Sequence, residues 1–258
     1  MKQVSKSKIS FINSLKLKKY RIKEKLFVVE GEKIVSEVLK SNLDIKLICG
    51  SPEYLEKNEY DLEKFQDLVF EAKPEEMKKI SSFVTPSNVL AIVSMPESRN
   101  ILYKNEDLYL ALDEIQDPGN LGTIIRICDW FGIKNLICSL NSADLYSPKT
   151  LQATMGAFLR VNVIYANIAE EIVKFKNNTK NHVFGTFLNG ENIYKSSLPK
   201  AGFIIMGNEG KGINKNLEAM VDKKLFIPSF SELDIHAESL NVSVASAIIC
   251  SEFRRNLW

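Results

Sequence analysis

The chain has 258 residues, of which 45% are hydrophobic and 26% charged, with a formal net charge of +2. These values describe a globular protein of one large or two small domains and exclude disordered and fibrous classes. No apolar run approaches the ~18–20 residues that a membrane helix needs.

The small net charge conceals an asymmetry. Residues 1–25 hold nine basic side chains against Glu24 alone, a local +8, so the other 233 residues sum to −6. Clustered Lys and Arg displace counterions from phosphates, which suits RNA binding as well as it suits a solvated tail. The same N-terminus has no apolar stretch of the kind a secretory signal requires.

In chain order, Ile12 to Lys23 predicts a basic helix and LFVVE (26–30) a strand. GEKIVSEVLKS (31–41) predicts an amphipathic helix with Ile34, Val35, Val38 and Leu39 on one face. IKLICG (45–50) is a second strand, and Ser51-Pro52 is a helix start with Ser as cap and Pro in the first turn. A strand at 68–72, a helix at 74–83 and a strand at 88–96 complete a small β/α domain over residues 1–97. The polar stretch at 98–107 reads as a linker.

From 108 to 258 the pattern predicts strands at 108–115, 135–139, 160–165, 182–188, 202–207 and 224–228. Helices lie between most of them, and a last helix runs from about Ser239 to Asn256. Short apolar strands alternating with helices predict a buried, mainly parallel sheet. Cys49, Cys128, Cys138 and Cys250 are far apart and show no metal spacing, so they read as buried thiols in a reducing cytoplasm, and no metal is expected.

Three strand-end loops of this second half carry the chemistry, because ligands of open parallel sheets bind at the carboxyl ends of strands. The first, DPGNLGTIIRICDWFG (117–132), places Gly122, Thr123, Arg126, Asp129 and Trp130 on one helical face, with Ile124, Ile125, Cys128 and Phe131 towards the core. Arg126 would then reach back to the loop of Asn120 or pair with Asp129 three residues on. The second, GNEGKG (207–212), has three glycines that let backbone N–H groups approach a ligand, yet it is neither a phosphate loop nor a dinucleotide fingerprint. The third runs from Ile227-Pro228 to SLNVSVASA (239–247), a helix opening rich in small residues, with Ser239 read as its cap and Asn241 as a first-turn residue.

N-x-G-x-x-x-R at Asn120, Gly122 and Arg126, then GNEGKG, then IP…SLNVSVA, in this order, resemble the SpoU/TrmH family of the SPOUT superfamily, RNA ribose 2′-O-methyltransferases. SLKLKKYRIKEKLFVVEGEKIVSEVL (14–39) resembles the small, ribosomal-protein-like RNA-binding domain that precedes the catalytic domain in many members. The resemblance implies an α/β fold with a trefoil-knotted, Rossmann-like catalytic domain over 108–258, a homodimer, and S-adenosylmethionine as cofactor. It implies cofactor contacts at Gly207, Asn208, Gly210, Ile227, Pro228 and Leu240, and a polar site of Asn120, Arg126, Glu209, Ser239 and Asn241. It also implies an RNA substrate, with 23S rRNA ahead of tRNA. A ribosome-assembly factor that has lost catalysis is the alternative. The loop SFSELDIHAE (229–238) is longer than the family's, and its Asp234 and His236 are read as loop residues outside the catalytic set.

Overall fold

The computed structural model describes residues 2–97, 100–231 and 238–255. The chain forms two compact units, Met1–Glu97 with Asp144–Leu159, and Ser98–Ala143 with Arg160–Trp258.

The first unit holds β1 (Lys2–Gln3), β2 (Leu26–Glu30), β3 (Ile45–Gly50), β4 (Val69–Glu71) and β5 (Val89–Ser94) in the order β1-β4-β3-β5-β2. β5 runs antiparallel to both β2 and β3, whereas β1, β4 and β3 are parallel. Both faces of this sheet are covered. Phe27 and Val29 enter one core with Val35, Val38 and Leu39, while Val28 enters the other with Ile12, Leu15, Met77 and Ile80. Strands buried on both faces are apolar throughout rather than alternating, which is how LFVVE and VLAIV read.

The single basic helix expected at 12–23 is two helices, Lys6–Ser14 and Lys18–Glu24. Between them the carbonyls of Leu15 and Lys16 accept hydrogen bonds from Arg21 at 2.8 and 2.7 Å, and Arg21 also donates to Asp144 at 2.6 Å. Arg21 is only 3% exposed. One of the nine basic side chains is therefore a structural clamp.

Residues 144–159 add a helix, Pro148–Thr154, whose N-terminus is capped by Ser147. Leu151 is buried in the same core as Phe27. The Phe27 ring meets Tyr146 at 4.6 Å and Phe158 at 6.0 Å between centroids.

The second unit is a wholly parallel sheet of β6 (Leu108–Leu112), β7 (Asn135–Cys138), β8 (Asn162–Tyr165), β9 (Val183–Asn192), β10 (Gly202–Met206) and β11 (Lys223–Phe226). Its order is β11-β9-β10-β6-β7-β8. The chain builds β6, β7 and β8 outward on one side and then places β9, β10 and β11 on the other. β6 and β10 therefore flank the point where the strand order reverses, and the crevice at their carboxyl ends is where such sheets hold ligands.

The stretch expected as a linker is packed. Ile101 and Tyr103 lie against the core of Tyr109, Phe175 and Phe203, and the Tyr103 hydroxyl donates to Glu171 at 2.7 Å. Apolar side chains inside a polar stretch suffice to dock it. The helix Val242–Arg254 packs against the helix Pro118–Trp130, and Arg254 donates to the Phe131 carbonyl at 3.0 Å.

Candidate active site

The site grows from the carboxyl ends of β6 and β10. After β6 the chain turns through Asp113 and Glu114 and enters the helix Pro118–Trp130, with Pro118 in the first turn. Asp117 caps this helix by accepting from the Asn120 amide at 2.8 Å. A short polar cap satisfies an otherwise orphaned N–H and fixes where the helix begins. Asn120 thus stands in the first turn, with its side chain free to cross to neighbouring loops.

It does so twice. Its amide nitrogen donates to Glu209 at 2.8 Å, and its amide oxygen accepts from the Asn241 side chain at 3.0 Å. The Asn241 oxygen meanwhile accepts from the Ser243 amide at 2.9 Å, the Ser243 hydroxyl at 2.6 Å and the Val244 amide at 3.4 Å. Asn241 is therefore the cap of the last helix, and its remaining donor is aimed at Asn120. This relay joins all three loops and ends on a carboxylate.

The expectation that Ser239 caps the last helix fails for that reason. Asn241 is two residues nearer the first helical turn, and Ser239 lies ahead of it, exposed. Leu240 between them is 49% exposed, and Ile227 and Pro228 are half-buried beyond β11. Asp234 and His236 lie outside the described residues.

The GNEGKG turn is built differently from the expectation. The Asn208 side chain accepts from the amides of Gly210 and Lys211, both at 3.0 Å, and the Asn208 carbonyl accepts from the Gly212 amide at 2.9 Å. Those three N–H groups are engaged inside the turn. The glycines serve backbone geometry instead. A Cβ on Gly207 would lie 2.4 Å from the Gly212 carbonyl carbon, and Gly212 has φ +71°. Only glycine admits such an approach and such a φ without strain.

Sequence reasoning missed the residues that hold this turn in place. Asn208 donates to the Glu114 carbonyl at 2.7 Å, and the Asn214 amide donates to the Asp113 carboxylate at 2.8 Å. Glu114 adopts a left-handed backbone, φ 56°, while its amide donates to the Ser139 hydroxyl at 2.9 Å. A non-glycine residue held in that region costs about 1–3 kcal/mol and persists where the surroundings over-determine it. The available signal was two acids closing an otherwise apolar strand, LYLALDE. A second missed feature is a bulge in β9, whose pairing to β11 jumps from Gly185 to Glu191 and leaves Leu188 exposed.

Arg126 is exposed and has no hydrogen-bond or ion-pair partner among the described residues. It does not touch Asn120, and the pairing with Asp129 that helical spacing allows is absent. Asp129 accepts instead from Arg160, whose Nε lies 2.9 and 3.1 Å from its two oxygens. The face expected around Arg126 needs one change, since Gly122 is buried with Leu121, Ile124, Ile125 and Cys128. All four cysteines are buried and free, and desolvation pushes the thiols of Cys49, Cys138 and Cys250 up to about 12. No cluster of metal-ligating side chains exists among the described residues.

Similarity to known proteins converges on this geometry. A family model described as the SpoU rRNA Methylase family matches residues 107–251, and one described as the MRM3-like substrate binding domain matches residues 6–91. The chain is 31% identical to the 23S rRNA (guanosine(2553)-2′-O)-methyltransferase RlmP of Bacillus subtilis, over 98% of this chain and 100% of that one. Among solved structures, the AdoMet-bound rRNA methyltransferase from Sinorhizobium meliloti is 28% identical with a TM-score of 0.86, covering 100% of this chain and 98% of that one. A TrmH-family protein from Porphyromonas gingivalis is 35% identical with a TM-score of 0.83, covering 98% and 99%. With a parallel sheet whose switch point gathers Asn120, Glu209 and Asn241, and a family match over more than half its length, the chain belongs to the SpoU rRNA methylase family.

Proposed function

We propose that this protein transfers a methyl group from S-adenosylmethionine to a ribose 2′-hydroxyl of RNA, with 23S rRNA as the substrate. The observation that carries the reading is the Asn120–Glu209–Asn241 relay at the switch point, with an unpaired arginine on the same helix as Asn120. The cofactor fits the loops around it. Leu188, in the bulge of β9, and Leu240, just ahead of the last helix, are apolar and exposed, and an adenine ring would cover such side chains. When bound, the cofactor supplies an electrophilic methyl group. Gly207, Asn208, Gly210, Ile227, Pro228 and Leu240 are the residues we assign to holding it.

The chain's own polar groups then act on the ribose. A guanidinium with a pKa above ~12 is a poor base in water. We therefore assign Arg126 to binding the phosphate beside the target nucleotide and to stabilising the developing alkoxide. Asn120, itself held by Asn241, orients the Glu209 carboxylate beside the ribose, and Ser239, exposed two residues before Asn241, is assigned to substrate contact.

The basic N-terminal segment is the second RNA contact in this reading. Its lysines are interleaved with exposed Phe11, Leu17 and Ile22, a mixture suited to both phosphate and base faces. A second copy of the chain covers Trp130, 85% exposed, and Val244 on the two packed helices, giving the homodimer. The trefoil knot belongs to the same proposal, supported by the small residues Ser243, Ala245, Ser246 and Ala247 on a helix packed closely against its neighbour. We also assign a cytoplasmic location, which the four buried, free thiols support.

Arg126→Ala tests the reading. Tritium transfer from labelled cofactor into rRNA should collapse, while cofactor affinity by calorimetry stays near wild type. Normal turnover in that variant sinks the assignment. Failure of the wild-type protein to label either rRNA or tRNA leaves only an RNA-binding role.

A further inference from the structure

We infer that Arg160 is a positioning residue for the methyl transfer, because it occupies Asp129 and so keeps Arg126 available to the RNA. The inference rests on the role assigned to Arg126 above.

Arg126 and Asp129 are three residues apart on the helix Pro118–Trp130, a spacing at which opposite charges meet and pair. In the isolated helix the arginine would have a carboxylate within reach at all times. The fold removes that carboxylate. Arg160 begins the segment that leads into β8, and it grips Asp129 with three contacts, Nε at 2.9 and 3.1 Å and a terminal nitrogen at 2.9 Å. A planar guanidinium matches a carboxylate in this two-point way, which a monodentate partner on the same helix does not equal.

Burial points the same way. The Asp129 side chain is 28% exposed against 50% for Arg160, so the acid is partly shielded and its oxygens are already engaged. Arg126 is left exposed and without a partner among the described residues. Arg160 thus silences one negative charge and leaves one positive charge unused.

The experiment is a mutant cycle on full-length protein, read by steady-state methylation of rRNA and by calorimetric cofactor affinity. Arg160→Ala releases Asp129, and kcat/KM for RNA should fall about two- to fivefold, the scale of one exposed ion pair, with cofactor affinity unchanged. Adding Asp129→Asn to Arg160→Ala should restore the rate, because no carboxylate remains to capture Arg126. Arg160→Lys should retain most of it, since a point charge still neutralises Asp129. In an Arg126→Ala background, Arg160→Ala should have no further effect. A purely structural role predicts otherwise: the loss would persist with Asp129→Asn and would add to that of Arg126→Ala. Either that pattern, or a wild-type rate in Arg160→Ala, overturns the inference while leaving Arg126 in place. A wild-type rate in Arg126→Ala alone instead removes the reading on which it rests.

Discussion

At the carboxyl end of β6, Asp113 is 6% exposed and accepts from the Asn214 amide, so it ties the far side of the GNEGKG turn to the strand. Desolvation, the largest influence, raises its carboxyl above the ordinary 3.8, with the Asn214 hydrogen bond opposing and Glu114 adding to it. Burial thus penalises the charged form. Asp113→Asn keeps an acceptor for Asn214 and removes the charge, so its melting temperature at pH 7 should exceed that of wild type. A raised acid pKa makes the folded state hold its proton more tightly than the unfolded chain, so wild-type stability improves as pH falls through the folded value. The advantage of Asn should therefore fade as the pH approaches 3.8. A variant that melts lower at pH 7 shows that the charge itself holds the turn. The relay residues Asn120, Glu209 and Asn241 were legible because each is a polar group at the end of an apolar strand or the start of a helix. That Asn241 rather than Ser239 is the cap was not legible, since both residue types cap helices and only the register of the first turn decides.

Among elements, the six parallel strands were readable because burial on both faces leaves short, wholly apolar runs between loops. The placement of residues 144–159 was not. SADLYSPKTLQATMGAFL displays a cap, a first-turn proline and an amphipathic helix, yet periodicity does not say which sheet an apolar face will meet. Its partner, Phe27, is more than a hundred residues away in sequence, and the pairing comes from shape and volume. The consequence is measurable. Leu151 is 2% exposed among Phe27, Val35 and Leu39, and Leu151→Ala should cost about 2–5 kcal/mol in denaturant unfolding. Residues 1–97 expressed alone should bind a hydrophobic dye, because Phe27 loses the cover of Tyr146 and Phe158, and adding 144–159 through a short linker should suppress that binding. Cooperative unfolding of 1–97 with no dye binding would show that the helix is an ornament on a complete core.

For the molecule as a whole, charge distribution decides how the RNA is held. The basic segment looked in sequence like nine equivalent phosphate ligands, but the fold sorts them. Arg21 is buried against two carbonyls and Asp144, whereas Lys18, Lys19 and Lys23 are exposed. Replacing these three lysines with Gln should weaken RNA binding and flatten its salt dependence, by about 0.7–0.9 in the slope of log K against log salt for each phosphate that is no longer neutralised. Cofactor affinity should not change. Arg21→Gln should do the opposite, because it strands a partly buried carboxylate and two carbonyls. The cost of breaking such a pair is about 3–5 kcal/mol of stability, and the salt slope of the protein that remains folded should change little. A triple lysine variant with the wild-type slope would mean that this face is merely solvated and that the phosphates lie elsewhere, with the exposed Arg126 the first cation to examine.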